Sequence, residues 1–237
     1  MELTQIDLMG VRVLEPVTSL TDLITATVSY YAFFRLRQLR RPEPVHHYFK
    51  AYFLLMGISM TFAGLIGHAF LYLVDESWKA IGWTFSALSI AMLGWGAALA
   101  LRPVLGERWI TGIRIWLILQ FLIFMASILN PDTRSFDNVK INSAVGMVGI
   151  VLPLTWYAWR RSPLRGRWIK MAGIVLGLLP SITYNLEISL HKWFNYHDIS
   201  HVLMATCMYV IYLGARSLAE TGPDCVLQPP QPEVSHA

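Results

Sequence analysis

Charged residues and cysteines are both scarce in this sequence. Charged residues make up only 14% of the 237 residues, against 55% hydrophobic residues, and the mean hydropathy is +0.47. This balance excludes an ordinary soluble domain, whose surface carries more charge. Of the two cysteines, Cys207 falls in an apolar run and Cys225 in a polar tail, so no disulfide framework is expected.

The first residues lack the pattern of a cleavable signal peptide. Residues 1–15 mix Glu2, Asp7 and Arg12 with apolar residues, without a basic start followed by an apolar core. The net charge of +4 is modest, and the basic residues fall in short loops between apolar runs. We therefore expect the lipid bilayer, and not a nucleic acid, as the partner of this chain.

Apolar runs predict seven membrane-spanning helices, each near or above the ~20 residues that cross a bilayer. The runs cover residues 18–36, 47–74, 79–101, 109–130, 139–159, 168–188 and 197–216. We therefore expect an all-α integral membrane protein with one seven-helix bundle. We expect the chain to consist of an extracytoplasmic segment over 1–17, the transmembrane domain over 18–217 and a disordered cytoplasmic tail over 218–237.

The basic residues predict how this bundle is oriented. Of the 19 basic residues, 14 fall on one side of the predicted bundle, in loops one, three and five and at the end of the last span. Only Arg12, Lys79, Arg134, Lys140 and Lys192 fall on the other side. Because cytoplasmic loops are enriched in Lys and Arg, we expect the N-terminus outside and the C-terminus in the cytoplasm. A multi-pass protein of the cell membrane is expected if the source is bacterial.

Three histidines are predicted to meet at the outer side of the bundle. His197 and His201 are four residues apart, so they share one face at the start of the last helix. His68 lies near the outer end of the second span. Polar groups in a membrane helix are costly and usually functional, and three imidazoles with one water make a catalytic zinc site. We therefore predict that Zn²⁺ binds to His68, His197 and His201.

A carboxylate near such a site would act as general base and then general acid. Asp75 is the preferred candidate, because it follows His68 by seven residues, close to two helical turns. Asp198 is the alternative beside the histidine pair, although it better suits a second-shell role or the stabilisation of the helix N-terminus. Glu76 and Asp22 are further second-shell candidates. Asp22 is interpreted mainly as a helix cap after Thr21, but it joins Asp198 as an alternative general base if the second helix runs straight through Asp75.

These motifs resemble the CREST superfamily of seven-helix membrane hydrolases, which includes alkaline ceramidases and the progestin and adipoQ receptors. That family binds zinc through a histidine near the end of the second helix and an H-x-x-x-H pair that opens the seventh. His68, His197 and His201 match these positions, and the stretch from His68 to Asp75 and Glu76 is similar to a shortened ceramidase segment.

The chain departs from this family one turn before His68. The family has a serine there, whereas this chain has Gly64, with Thr61 one turn further back as the possible substitute. The spacing from His68 to Asp75 is also about one helical turn shorter than in the ceramidases. The resemblance therefore supports the zinc site better than it supports any one substrate.

Three functions remain open at this stage. The resemblance implies a zinc-dependent hydrolase of a lipid amide or ester bond, with zinc-bound water as nucleophile and a membrane lipid as substrate. The alternative is a non-enzymatic receptor or sensor with a structural zinc between spans two and seven. A haem protein is disfavoured, because axial ligands face each other across the haem, whereas His197 and His201 share a helix face.

Overall fold

The computed structural model describes residues 4–221, so most of the predicted disordered tail over 218–237 lies outside the described residues. Before the first helix, the chain forms an antiparallel hairpin of β1 (Gln5–Leu8) and β2 (Val11–Leu14). Met9 and Gly10 both have positive φ at its tip, the backbone of the two-residue turns that match strand twist. The sequence analysis did not predict this hairpin.

The rest of the described chain is helical apart from short connections. Two of the helices pass through π-helical segments, Ala63–Ala69 after α2 and Val145–Val151 between α5 and α6. The helices are α1 (Pro16–Gln38), α2 (Pro44–Phe62), α3 (Lys79–Ala100), α4 (Arg102–Leu129), α5 (Phe136–Ala144), α6 (Leu152–Arg161), α7 (Arg165–Leu176), α8 (Leu178–Asn185) and α9 (Tyr196–Glu220).

Within residues 4–221, five helical stretches are long and apolar enough to cross a membrane. They run over Pro44–Ala69, Glu76–Ala100, Arg102–Leu129, Phe136–Arg161 and Tyr196–Glu220. These stretches coincide with predicted spans two to five and seven, so the expectation of a helical, membrane-type chain is confirmed. The full set of seven spans stays a prediction.

The two remaining predicted spans differ from the other five for visible reasons. The 23-residue α1 is long enough, but it is less apolar, because buried Ser and Thr line its inner face: Thr18, Ser19, Thr21, Thr25 and Ser29. The sixth span is divided between the short helices α7 and α8 at Gly177. Pro180 lacks the N–H that would continue the hydrogen-bond ladder of α7 across this point.

The helices pack as a closed ring. α1 contacts α2 and α9, α2 contacts α3, and α9 contacts α7, while α5, α6 and the π-helical segment between them close the ring against α3. α4 packs on the outside against α3 and α5. A core with Phe49, Tyr52, Phe53, Ile211 and Tyr212 fills the space between α2 and α9.

Glycines let α9 approach α7 backbone to backbone. A Cβ atom at Gly214 would lie 2.6 Å from the backbone N of Lys170, and one at Gly166 would lie 2.7 Å from the carbonyl O of Gly214. Small residues allow this kind of close contact between membrane helices. The contact fixes the position of α9, and α9 carries His197 and His201.

Candidate metal centre

Three histidine side chains converge at one end of the bundle. The ring of His68 lies 5.9 Å from that of His197 and 6.1 Å from that of His201, measured between centroids. The first ring comes from the π-helical segment after α2 and the other two from the first turns of α9. The sequence predicted that these residues share one depth, and the structure brings their rings together.

The π-helical segment Ala63–Ala69 determines where His68 lies. At Gly64 a Cβ atom would meet the carbonyl O of Ser19 at 2.9 Å and Cβ of Asp22 at 3.0 Å, so only glycine allows this approach to α1. The hydroxyl of Ser19 donates a hydrogen bond to the carbonyl O of Gly64. The segment is thereby held against α1, and His68 faces the α1 residue Asp22.

The start of α9 is held by a capping box. The Asn195 side chain accepts from the N–H of His197 at 2.8 Å, and the carboxylate of Asp198 accepts from the N–H of Asn195 at 2.7 Å. This arrangement satisfies N–H groups that a helix start leaves free. The predicted role of Asp198 as an N-terminal stabiliser is confirmed, with Asn195 as its capping partner, and Asp198 orients the turn that carries His197.

Asp22 is the buried carboxylate of this centre. Its side chain has no solvent-exposed surface, and within residues 4–221 neither of its oxygens has a hydrogen-bond partner. Oδ1 lies 3.4 Å from Nε2 of His201, and Oδ2 lies 3.7 Å from Nε2 of His68. A buried carboxylate without a partner is costly, so this position favours either a proton on Asp22 or a positive species between the three side chains.

The hydrogen-bond partner of His68 shows which of its ring nitrogens carries the hydrogen. Its Nδ1 lies 2.9 Å from Oε2 of Glu15, which is half-buried at the start of α1. This hydrogen bond holds the pKa of Glu15 below its ordinary value, so the carboxylate is ionised and only accepts. Nδ1 of His68 therefore carries the hydrogen, and Nε2 of the same ring is directed towards Oδ2 of Asp22.

The same reasoning assigns the tautomer of His201. Its Nδ1 lies 3.2 Å from the hydroxyl of Thr21, which donates its one hydrogen to the carbonyl O of Thr18 at 2.9 Å. The Thr21 hydroxyl must then accept from Nδ1–H of His201. The Nε2 atom of His201 is left with a lone pair that faces Oδ1 of Asp22.

Two separations in this cluster match the spacing of neighbouring metal ligands. Lone pairs of two imidazoles and a carboxylate repel each other unless a cation or a shared proton lies between them, and charge-assisted hydrogen bonds are shorter, at about 2.7–2.9 Å. Ligand atoms about 2.0–2.1 Å from one tetrahedral zinc lie roughly 3.4 Å apart. The separations of 3.4 and 3.7 Å are close to that value. As the side chains stand in residues 4–221, no three of the His, Cys, Asp and Glu side chains form a ready-made metal-binding group.

Asp75 does not lie where the sequence prediction put it. The helix ends before it, but the Asp75 carboxylate points to solvent and accepts from the N–H of Ser77 at 2.8 Å. Hydrogen bonds from the side chain and from the backbone N–H of Ser77 lower the pKa of Asp75. Glu76 is also exposed, and it pairs with Lys79 at 3.4 Å. Both carboxylates serve the turn before α3, because the chain leaves the histidines after Ala69 instead of folding back.

Thr61 does not replace the family serine. Its hydroxyl donates to the carbonyl O of Gly57 at 2.9 Å and lies 3.2 Å from the hydroxyl of Tyr30, between α1 and α2. The π-helical segment Ala63–Ala69 begins after this turn, so regular α-helical spacing does not relate Thr61 to His68. The position of Gly64 itself is packed against the backbone of Ser19, which leaves no room for a serine side chain.

Glu15 is a site residue that sequence reasoning missed. It was grouped with a mixed N-terminal segment, and nothing in a linear pattern connects it to a histidine 53 residues away. The pattern Glu15-Pro16 at the start of a helix was the available signal, because proline is common at the first helical position. Asp22, which the sequence favours as a helix cap and leaves open as a general base, lies beside two of the three histidines.

A cavity of about 370 Å³ opens beside these residues, a volume typical of small-molecule sites. His68, His197, His201 and Asp22 all line it. Apolar side chains line much of the rest, among them Met56, Met60, Ile90, Met204, Met208 and Ile211. Along α9 the lining reaches from residue 197 to residue 211, a rise of about 21 Å at 1.5 Å per residue.

The comparisons with known proteins identify a family without a described activity. The model of a family described as "Family of unknown function (DUF6962)" matches residues 17–220, which include every helix described above except the first residue of α1. Neither a curated protein nor a solved structure matches the chain.

Proposed function

The chain belongs to the family of unknown function DUF6962, and we propose that it is a zinc-dependent hydrolase of an amide or ester bond in a membrane lipid. One observation carries the proposal: Nε2 of His68 and Nε2 of His201 face the buried carboxyl group of Asp22 at the wall of an apolar cavity, and no hydrogen-bond partner of that group lies within residues 4–221. The similarity of the histidine spacing to CREST hydrolases supports the same chemistry.

The residues that would hold the metal are His68, His197 and His201. Their rings come from two segments that are independently fixed, one by Gly64 against α1 and the other by the capping box of α9. When bound, zinc would polarise a substrate carbonyl and lower the pKa of a water molecule to about 7. Asp22 lies beside two of these rings, so its carboxylate can take a proton from a water in the cavity and return it to the leaving group.

The cavity suits a lipid. Its lining extends about 21 Å along α9, a large part of the roughly 30 Å hydrocarbon core of a bilayer, and it is apolar beyond His201. An acyl chain inside it would direct the linkage near the headgroup towards the histidines. The exposed side chains of α4, among them Trp109, Trp116, Leu122 and Ile123, suit contact with lipid on the outside.

The proposal includes seven spans and an orientation. α1 would be the first span and the divided α7–α8 pair the sixth, because broken helices are tolerated where their free backbone groups face protein or a cavity. The 14 to 5 division of basic residues would place the N-terminus outside. The histidines would then lie near the outer surface, and the chain would be a multi-pass protein of the cell membrane in a bacterium.

The test combines metal content with activity. Full-length protein purified in detergent is analysed for zinc and assayed on a panel of ceramide-like and other acyl lipids, beside His201→Ala. The hydrolase is supported if the wild-type chain holds one zinc and cleaves lipid, and if the variant loses both properties. The exposed loop residue His191 provides the matched control, and His191→Ala should leave both unchanged.

A receptor or sensor with a structural zinc is the second candidate, and Asp22 is the observation that favours it. Three histidines and a carboxylate would complete a tetrahedral site, and structural zinc sites are closed in this way. Stoichiometric zinc without cleavage of any lipid in the panel would favour this function. A hydroxamate that binds to the zinc protein would favour the open, catalytic site.

A further inference from the structure

Glu15 holds an unusual backbone conformation directly before α1. Its φ of 41° and ψ of 54° are left-handed, which L residues other than Gly and Asn rarely adopt. Pro16 follows, and a residue before proline is normally extended. Glu15 stands at the N-cap position, yet its side chain makes no capping hydrogen bond. Local preference therefore explains neither the backbone nor the side chain of Glu15.

The contacts of Glu15 explain the conformation. Its N–H donates to the carbonyl O of Thr4 at 2.7 Å, and its own carbonyl O accepts from the N–H of Ser19 at 2.9 Å. The left-handed turn joins the hairpin to α1 and directs the carboxylate to Nδ1 of His68 at 2.9 Å. Strained residues that persist in a fold concentrate at functional sites.

The hairpin is also attached to the chain that follows His68. The guanidinium of Arg12 on β2 lies 4.3 Å from the centre of the Tyr72 ring, four residues after His68. A cation over an aromatic face is attractive at this distance. Glu15 is thus held from two sides, through the backbone of α1 and through a hairpin that contacts the turn after the π-helical segment.

We propose that Glu15 is a positioning residue that fixes His68 with Nδ1 protonated and Nε2 free for a metal ion. The inference rests on the proposed function, because it assigns a role towards the same metal. Histidines that bind metals commonly donate their other ring N–H to a carboxylate, which fixes the ring and makes it a stronger ligand. The N-terminal hairpin is then the part of the fold that supplies this carboxylate.

The first readout is metal affinity. Full-length protein in detergent is titrated with Co²⁺, whose visible spectrum reports the ligand geometry. Loss of a carboxylate that supports a ligand typically weakens metal binding 10–100-fold, so Glu15→Ala should weaken Co²⁺ binding by about that factor. Glu15→Gln keeps an oxygen that accepts from Nδ1–H and should lose less. Glu76→Ala removes an exposed carboxylate that contacts Lys79 and should change nothing.

The second readout needs no metal. Nitrogen-15 NMR of labelled histidines reports which ring nitrogen carries the hydrogen, and His68→Ala identifies the signal. The wild type should show Nδ1–H at residue 68, Glu15→Gln should keep it, and Glu15→Ala should move hydrogen to Nε2. An unchanged tautomer in Glu15→Ala would overturn the inference. If the wild type binds no Co²⁺, the proposed function fails, while the tautomer still decides the role of Glu15.

Discussion

Oδ1 of Asp22 lies 3.4 Å from Nε2 of His201, and this nitrogen carries no hydrogen in the tautomer that Thr21 imposes on the histidine. Asp22 is fully buried on α1, whereas His201 belongs to the last helix, 179 residues later. A carboxylate and a lone pair at this distance repel each other in a medium of low polarity. The pair therefore defines a place for a cation or a shared proton, and the first two predictions below test for the cation.

Zinc should stabilise the wild-type protein and not His201→Ala. A ligand at 100 times its dissociation constant that binds only the folded state adds about 2.7 kcal/mol to the free energy of unfolding. A fluorescence melt in detergent should show a higher Tm with zinc and a lower Tm after chelation. His191→Ala should respond like the wild type. The same Tm in chelator and in zinc would contradict a metal at this position.

Substitutions of Asp22 and of Asp75 should affect lipid hydrolysis very differently. Asp22→Asn keeps the shape of the side chain but removes the proton acceptor beside the histidines, so lipid hydrolysis should fall about 100-fold or more. Asp75→Asn should retain wild-type activity, because the Asp75 carboxylate is exposed and bonded to Ser77. Rates are compared at equal zinc content. If Asp75→Asn loses activity and Asp22→Asn keeps it, Asp75 is the catalytic carboxylate.

Introducing at position 64 the serine that the CREST hydrolases carry should damage the fold. In Gly64→Ser, the new Cβ would meet the carbonyl O of Ser19 at 2.9 Å, so the π-helical segment must move away from α1. Overpacking of this kind costs about 1–3 kcal/mol. Gly112→Ser is the control, since a Cβ on α4 at that position meets nothing within 4 Å. A Tm for Gly64→Ser equal to that of the control would show that the segment has room.

The left-handed backbone of Glu15 predicts that a glycine at this position is more stable than an alanine. Glycine adopts a left-handed conformation without the roughly 1–2 kcal/mol penalty of other residues. Glu15→Gly should therefore melt at a higher temperature than Glu15→Ala, although both lack the carboxylate. The two variants should have equal affinity for Co²⁺. If Glu15→Ala is the more stable variant, residue 15 is not strained.

The orientation predicts which loops are accessible. A single cysteine in place of Asp137 should react with a membrane-impermeant reagent on intact cells, and one in place of Pro163 should react only after the membrane is opened. These positions lie on the outer and the Arg-rich sides of the predicted topology. Labelling in the reverse pattern would place the histidines on the cytoplasmic side.

The helices were predictable because their signal is local. An apolar run of about 20 residues must form a helix in a bilayer, where each backbone polar group needs a partner within its own segment. The five apolar stretches follow from this rule. The capping box is local for another reason, because Asn195 and Asp198 are only three residues apart. The division of the sixth predicted span was not recognised, although Gly177 and Pro180 stand at the break.

The sequence by itself determined a helical chain suited to a membrane and placed three histidines, His68, His197 and His201, at one depth. Only the tertiary structure decided which carboxylates accompany them. Asp22 and Glu15 reach the site through the packing of α1 on the π-helical segment and through a left-handed residue, whereas Asp75 turns to solvent. Helical periodicity describes one element at a time, and the contacts between elements depend on backbone close approach and turn geometry.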